Sequence, residues 1–305
     1  MAIAAKQGRF HYQAKEDPHL QERIHDVFPS CGLEMVKVVS TAVTDDVAAH
    51  AALALKDLLH ERFKTESEIH IGFAGGRTLR RVAQSFAEVL RDPPVEFPKK
   101  FVFHALVAGW NVADPTNDPN AFFANFTGDS RIAVETAFVG LHGPGIVESD
   151  CYDMIRGISC TRKAFDERDK IQVLVTSAGR WSCGHSALYN LFDEYCKETL
   201  GRLKGLEIVG DMMWCPLGID GPIDFQKINA KFRTLVLMEI AELHKFIRKG
   251  GRVLLVLGPC SGCREPKSEI LEAILDLGSR QRLATHLVCD SRTARQLHGV
   301  DLSKK

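Results

Sequence analysis

The sequence carries no surplus charge, no long apolar run and no low-complexity tract. Lysine plus arginine and aspartate plus glutamate number 39 each. That balance lacks the basic excess by which nucleic-acid-binding domains attract phosphates, so direct DNA binding by this chain is not expected. The longest apolar stretches, such as Val253 to Leu257, fall far short of the roughly 20 residues a membrane-spanning helix needs. The opening Met-Ala-Ile-Ala-Ala-Lys-Gln-Gly-Arg-Phe lacks the apolar core and cleavage pattern of a secretory signal, which makes retention in the cytoplasm the default. In that compartment nine cysteines, an odd number, read as reduced thiols rather than as a disulfide framework. The three tryptophans, Trp110, Trp181 and Trp214, are dispersed and not interleaved with basic residues. They suit core or loop packing better than a stacking platform for bases.

What is present is an ordinary globular composition. The chain has 305 residues, 45% hydrophobic and 26% charged, enough apolar material for one large domain or two small ones. Residues 1–17 read as a polar lead-in, and residues 18–305 as the domain. Pro18 to Phe28 predicts a helix with Leu20, Ile24 and Val27 on one face, followed by a strand at Met35 to Val39. A long helix from Thr44 to about Arg62, capped by Thr44 or Asp45, carries Val47, Ala51, Leu55, Leu58 and Leu59 inward. Short β-branched apolar runs recur at Phe101 to Val107, Ile171 to Thr176, Leu206 to Val209, Thr234 to Met238, Val253 to Leu257 and His286 to Cys289. Helical patterns separate most of them. Alternation of this kind predicts an α/β fold of three layers, Rossmann-like, its mostly parallel sheet covered by helices on both faces. Ligands of such sheets bind beyond the carboxyl ends of strands.

Four loops that follow strands are therefore the places to look for chemistry. Ile69-His-Ile-Gly-Phe-Ala-Gly-Gly-Arg-Thr-Leu-Arg-Arg81 runs from an apolar strand through paired glycines into a helix reaching about Leu90. Gly75 and Gly76 permit a tight turn and close approach to an anion. Thr78 offers a hydroxyl, and the helix offers unpaired N–H groups and its positive dipole end. Arg77, Arg80 and Arg81 add cations nearby, although a tight strand-to-helix turn alone also explains the glycines. After Phe101 to Val107, the polar loop reaching Asp114 to Asn120 holds Asn111, Thr116 and Asn117, suited to a polyol or simply to turns. After Ile171 to Thr176 come Ser177, Gly179 and Arg180, a second set of anion or hydroxyl contacts, leading to Cys183-Gly-His185. After Val253 to Leu257, Gly258-Pro-Cys-Ser-Gly-Cys-Arg-Glu-Pro-Lys267 leads into a helix that Pro266 opens and Gly278 stops. Lys267 at a helix N-terminus has no dipole reason to be there, and a bound phosphate would supply one.

In this order the pieces resemble the sugar-binding effector domain of SorC-type bacterial transcription regulators over nearly the whole chain. The resemblance runs from His19-Leu-Gln-Glu-Arg-Ile-His-Asp-Val-Phe28 through the phosphate loop Ile71-Gly-Phe-Ala-Gly-Gly-Arg-Thr78. It continues through Val209-Gly-Asp211 and Asp220-Gly221 to Lys267 and the closing Thr293-Ala-Arg-Gln-Leu297. It implies a fold shared with glucosamine-6-phosphate deaminase, ribose-5-phosphate isomerase and 6-phosphogluconolactonase, the sensing of a phosphorylated sugar, and self-association. In the regulators a helix-turn-helix domain precedes this one. Here too few residues precede the first helix for such a domain, so the chain either acts without DNA, through a separate DNA-binding or other output partner, or is a piece. Cys260-Ser-Gly-Cys263 replaces the small apolar and glycine residues the resemblance leads one to expect before the lysine.

Two further readings stay open. Cys183-Gly-His185 lies where the related enzymes carry Asp-Gly-His, so a sugar-phosphate isomerase, deaminase or lactonase-like activity would use His185 as general base with Asp211 as a spare carboxylate. The cysteine in place of the acid removes a group that would orient the base. Cys183, His185, Cys260 and Cys263 would together satisfy tetrahedral zinc, although the Cys-x-x-Cys pair also fits a redox couple or two buried thiols. The leading expectation is a sensor without cofactor or metal, binding its anion through Gly75, Gly76, Arg77, Thr78, Ser177, Gly179, Arg180, Asp211 and Lys267.

Overall fold

The structure is a computed structural model describing residues 14–93, 96–109, 114–181, 184–225 and 227–300. In chain order it runs α1 (Pro18–Val27), β1 (Met35–Val39), α2 (Thr44–Phe63), β2 (Glu68–Phe73), α3 (Arg77–Arg91), β3 (Lys100–Ala105), α4 (Pro119–Phe122), β4 (Glu135–Val139) and β5 (Ile146–Glu148). It continues α5 (Tyr152–Gly157), α6 (Ser159–Glu167), β6 (Val173–Thr176), β7 (Ala178–Arg180), α7 (Ala187–Tyr195), α8 (Lys197–Lys204), β8 (Ile208–Met212), β9 (Cys215–Gly218), β10 (Gly221–Pro222) and β11 (Phe232–Thr234). The last elements are α9 (Leu243–Arg248), β12 (Arg252–Leu257), α10 (Ser268–Asp276), β13 (His286–Asp290) and α11 (Ser291–Arg295). No helix among the described residues is long and apolar enough to cross a membrane.

Seven strands form one sheet in the order β1-β13-β12-β6-β2-β3-β4, and every pairing in it is parallel. Parallel strands need crossovers, and helices supply them on both faces, which is why the inner strands are apolar on both sides. Val253 to Leu257 and Val173 to Val175 are wholly buried. Helices α2 and α3 pack on each other, and α2 lies along β12 and β13. The expected three-layer α/β architecture is thus present.

Some local expectations are corrected. Leu206 to Val209 contributes to β8, but β8 belongs to a separate antiparallel sheet of order β10-β9-β8-β7. Of Thr234 to Met238 only Thr234 is in a strand, at the end of β11, which pairs with β5. The rest lies across the end of β3, with Ala108 N donating to Leu235 O and Leu237 N to Leu106 O. An apolar run that covers a sheet end has the same composition as one inside the sheet. Strand β4 carries no such run and has no signal in the sequence: Glu135-Thr-Ala-Phe-Val139 begins polar because it is the sheet edge. Helix α2 is capped by neither Thr44 nor Asp45; Val43 is its N-cap, and Thr41 Oγ1 accepts from Val43 N and donates to Asp46. Thr44 instead donates to Pro259 O in the loop after β12, and Asp45 pairs with Arg81. The stretch Asp114 to Asn120 is no open loop but a 3-10 turn, Pro115–Asn117, followed by the start of α4. Among the described residues before α1, Ala14 is buried and its carbonyl accepts from His50 Nε2.

Candidate functional site

The strand order reverses between β2 and β6: from β2 the chain moves outward through β3 and β4, then returns to place β6 on the other side of β2. A crevice outside the carboxyl ends of the strands opens at such a switch point. A cavity of about 210 Å³ lies there, room for a small metabolite. Gly75, Gly76, Arg77, Thr78, Ser177, Gly179, Arg180, Asp211 and Lys267, scattered through the chain, all line it, as do His185 and Cys260. Asn111, Trp110 and Cys183 lie outside the described residues.

The phosphate-loop geometry follows from its glycines. Gly76 is the N-cap of α3 at φ 117°, a conformation that L side chains rarely adopt, and a Cβ there would meet nothing within 4 Å. Only backbone therefore faces the cavity at this point. Its N–H donates to Asn117 O at 2.8 Å, tying the loop to the turn before α4. Helix α3 has no side-chain cap and no acidic residue in its first turn, so its first N–H groups and dipole end are left for an anion. Two of the three nearby arginines are committed elsewhere: Arg80 bonds Thr116, and Arg81 pairs with Asp45. Neither lines the cavity, and nor does Thr116; Arg77 does. Helical periodicity shows which way these side chains point but not which partner waits there.

Lys267 is the N-cap of α10 and is buried. Its Nζ donates to Ala178 O at 2.7 Å, at the start of β7. Its backbone N–H donates to Thr293 Oγ1 at 3.1 Å, and Thr293 donates to Asp290 Oδ2 at 2.6 Å. Asp290 in turn caps α11 through Thr293 N. The Thr-Ala-x-x-Leu ending of the chain thus positions the lysine.

Opposite stands Asp211 on β8, paired in register with Gly179 on β7. A Cβ on Gly179 would lie 2.8 Å from Asp211 Oδ1, so the glycine makes room for the carboxylate. The Ser186 hydroxyl donates to Asp211 Oδ1 at 2.5 Å and accepts from Tyr189 N as the cap of α7. Burial pushes the Asp211 carboxyl up to about 6, against the Ser186 hydrogen bond and the Lys267 charge, which lower it. The turn after β8 presents Met213 and Trp214, both at positive φ, 53° and 59°. Both line the cavity, a strained backbone of the kind that gathers at binding sites. Trp214 also packs on the core, and Trp181 meets Tyr189 edge-on, so both serve packing as expected.

Asn117 is buried; its Nδ2 donates to Asp114, while its Oδ1 has no hydrogen-bond partner and the residue lines the cavity. Sequence reasoning missed Asp118, Ser186, Asn190, Met213 and the wall role of Trp214. Only Ser186, next to His185, had a signal in its position. Asp220 is exposed in the turn between β9 and β10 and does not line the cavity.

His185 is exposed, with Nδ1 3.6 Å from Cys260 Sγ. The imidazole thus faces a thiol, where the base of an acid/base pair would need a carboxylate to orient it. Burial raises the Cys260 thiol pKa, but hydrogen bonds from the Cys263 and Gly262 N–H groups, the Cys263 thiol and His185 outweigh it and bring it down to about 6.

No family model and no curated protein sequence matches this chain. Its fold, however, matches solved structures across almost their whole length. A domain of a possible sugar-binding transcriptional regulator from Arthrobacter aurescens superposes with a TM-score of 0.64 at 18% identity, covering 95% of this chain and 99% of that one. A DeoR family transcriptional regulator from Listeria monocytogenes gives 0.62 at 18% identity, with 90% and 97% covered. The full-length sorbitol operon regulator SorC from Klebsiella pneumoniae gives 0.62 at 17% identity, with 97% and 86% covered. At such identities the likeness is one of architecture: the chain carries the α/β fold found in SorC- and DeoR-type bacterial regulators.

Proposed function

We propose that residues 18–305 form a sensing domain that binds a phosphorylated sugar, or a related small phosphate metabolite, in the cavity at the β2/β6 switch point. The observation that carries this reading is the convergence of an uncapped helix N-terminus behind Gly75-Gly76 and the buried Lys267 on one cavity. A phosphate would take the N–H groups and the cations. Asp211, Asn117 Oδ1 and the segment from Ser177 through β7 suit sugar hydroxyls, since a carboxylate and an unpartnered amide oxygen are acceptors. The fold relatives described as sugar-binding regulators support the same reading.

Binding is the output: the ligand favours one conformation or assembly over another by its differential affinity for the two. The chain works in the cytoplasm as a homo-oligomer. His185, facing a thiol, is not a general base in this account.

Thermal unfolding against a panel of sugar phosphates, phosphogluconate and nucleotides tests the proposal. A ligand at about 100 times its dissociation constant stabilises by about 2.7 kcal/mol, a shift of several degrees. One phosphosugar should raise the transition without being consumed, and Lys267→Ala and Gly76→Val should each abolish the rise. Turnover of the stabilising compound, or no shift with any of them, would overturn it.

A further inference from the structure

We propose that His185, Cys260 and Cys263 bind a zinc ion at the rim of the cavity, a site separate from the phosphosugar contacts and independent of that reading. The three residues come from two segments, between β7 and α7 and after β12; β7 follows β6 by one residue, and β6 pairs with β12, which brings the two segments together. Their ligand atoms, one imidazole nitrogen and two sulfurs, all lie within 4.8 Å of one another. Tetrahedral zinc, with bonds of about 2.3 Å to sulfur and about 2.1 Å to nitrogen, sets an S···N edge of about 3.6 Å. The Cys260 Sγ to His185 Nδ1 distance is 3.6 Å.

The surroundings are shaped for this contact. Cys260 N donates to Glu265 O and Arg264 N to Cys260 O, closing the Cys-Ser-Gly-Cys segment into a tight turn in which Arg264 takes φ 58°. A Cβ on Gly262 would lie 2.7 Å from Cε1 and Nδ1 of His185, so the ring rests against bare backbone. Two thiolates and an imidazole select a borderline-soft ion such as zinc over magnesium or calcium. Cys260 is buried, Cys263 half-buried and His185 exposed, which leaves a way in. Three protein donors leave one tetrahedral position for water or a further donor.

The full chain, purified without chelator or added metal and desalted, should carry about one zinc per chain by elemental mass spectrometry. Cobalt(II) replacing it should give an intense near-ultraviolet thiolate-to-metal band and the visible bands of a tetrahedral site. Cys263→Ser and His185→Ala, checked for folding by circular dichroism, should weaken zinc binding in chelator competition by more than the roughly 10–100-fold that losing an outer-shell partner costs. Lys267→Ala should keep the metal, so failure of the phosphosugar reading and failure of this one are told apart. Substoichiometric zinc with no thiolate–cobalt band in the unmodified protein would overturn the site. So would zinc retained by Cys263→Ser, or a Cys260–Cys263 disulfide in a non-reduced digest of cytoplasmically expressed protein, which would mark a redox pair.

Discussion

Asp211 makes the unliganded protein's stability depend on pH in a direction opposite to that of most carboxylates. Its ordinary value is 3.8 and burial raises it to about 6 in the folded chain. The folded state then binds its proton more tightly than the unfolded one between those limits. The contribution is complete below pH 3.8 and is lost as pH rises through about 6. A difference of about 2 units, at 1.36 kcal/mol each, is about 3 kcal/mol. Asp211→Asn keeps an acceptor for the Ser186 hydroxyl and cannot ionise. Relative to the wild type, the variant should therefore gain about 2.4 kcal/mol between pH 4 and pH 8, since at pH 4 the unfolded carboxyl is already more than half ionised. Reading the change in the difference cancels any pH-independent cost of the amide. Urea unfolding of both proteins at half-unit pH steps, without ligand and with the slope m held common, measures it. Parallel stability curves would refute the reasoning, because they would mean that the carboxylate ionises in the cavity at no cost. A variant that loses ground as pH rises would show the Lys267 charge outweighing burial.

Three substitutions probe other parts of the site. Gly210→Ala puts a Cβ 2.1 Å from Gly179 O and 2.3 Å from Ile270 Cδ1. Separating β7 from β8 should cost at least about 3 kcal/mol in urea unfolding. Thr293→Val leaves Lys267 N and Asp290 Oδ2 without their partner. It should cost about 2–4 kcal/mol and weaken phosphosugar binding, whereas Thr293→Ser should restore most of both. Gly76→Val forces a β-branched residue to φ 117°. It should cost about 1–3 kcal/mol even with no ligand present, which calorimetry would read.

The sheet was legible where strands were buried on both faces. Val253 to Leu257 and His286 to Cys289 are buried, mostly apolar runs because helices cover both sides, and they stand where the sequence puts them. Strand β4 was illegible for the converse reason, since an edge strand carries exposed and half-buried residues. Thr234 to Met238 misled because burial against a sheet end requires the same side chains as burial within one. At the site, Gly75-Gly76, Asp211 and Lys267 could be gathered from their places after or at strand ends. Arg80 and Arg81 could not be removed from the candidate cations without Thr116 and Asp45, partners fixed only by tertiary structure. The role of Thr293 in seating Lys267 likewise depends on the approach of α10 to α11.

Calorimetric titration of the full chain with the phosphosugar found by thermal unfolding, set beside its dephosphorylated parent and inorganic phosphate, tests the central claim most directly. The account predicts saturable binding of the phosphosugar. The parent sugar should bind at least about 100-fold more weakly, since it forgoes two charge-assisted hydrogen bonds, and at about 1.5–3 kcal/mol each these amount to that or more. Lys267→Ala should bring the phosphosugar down toward the parent. Equal affinity for sugar and phosphosugar, or binding indifferent to Lys267→Ala, would contradict it.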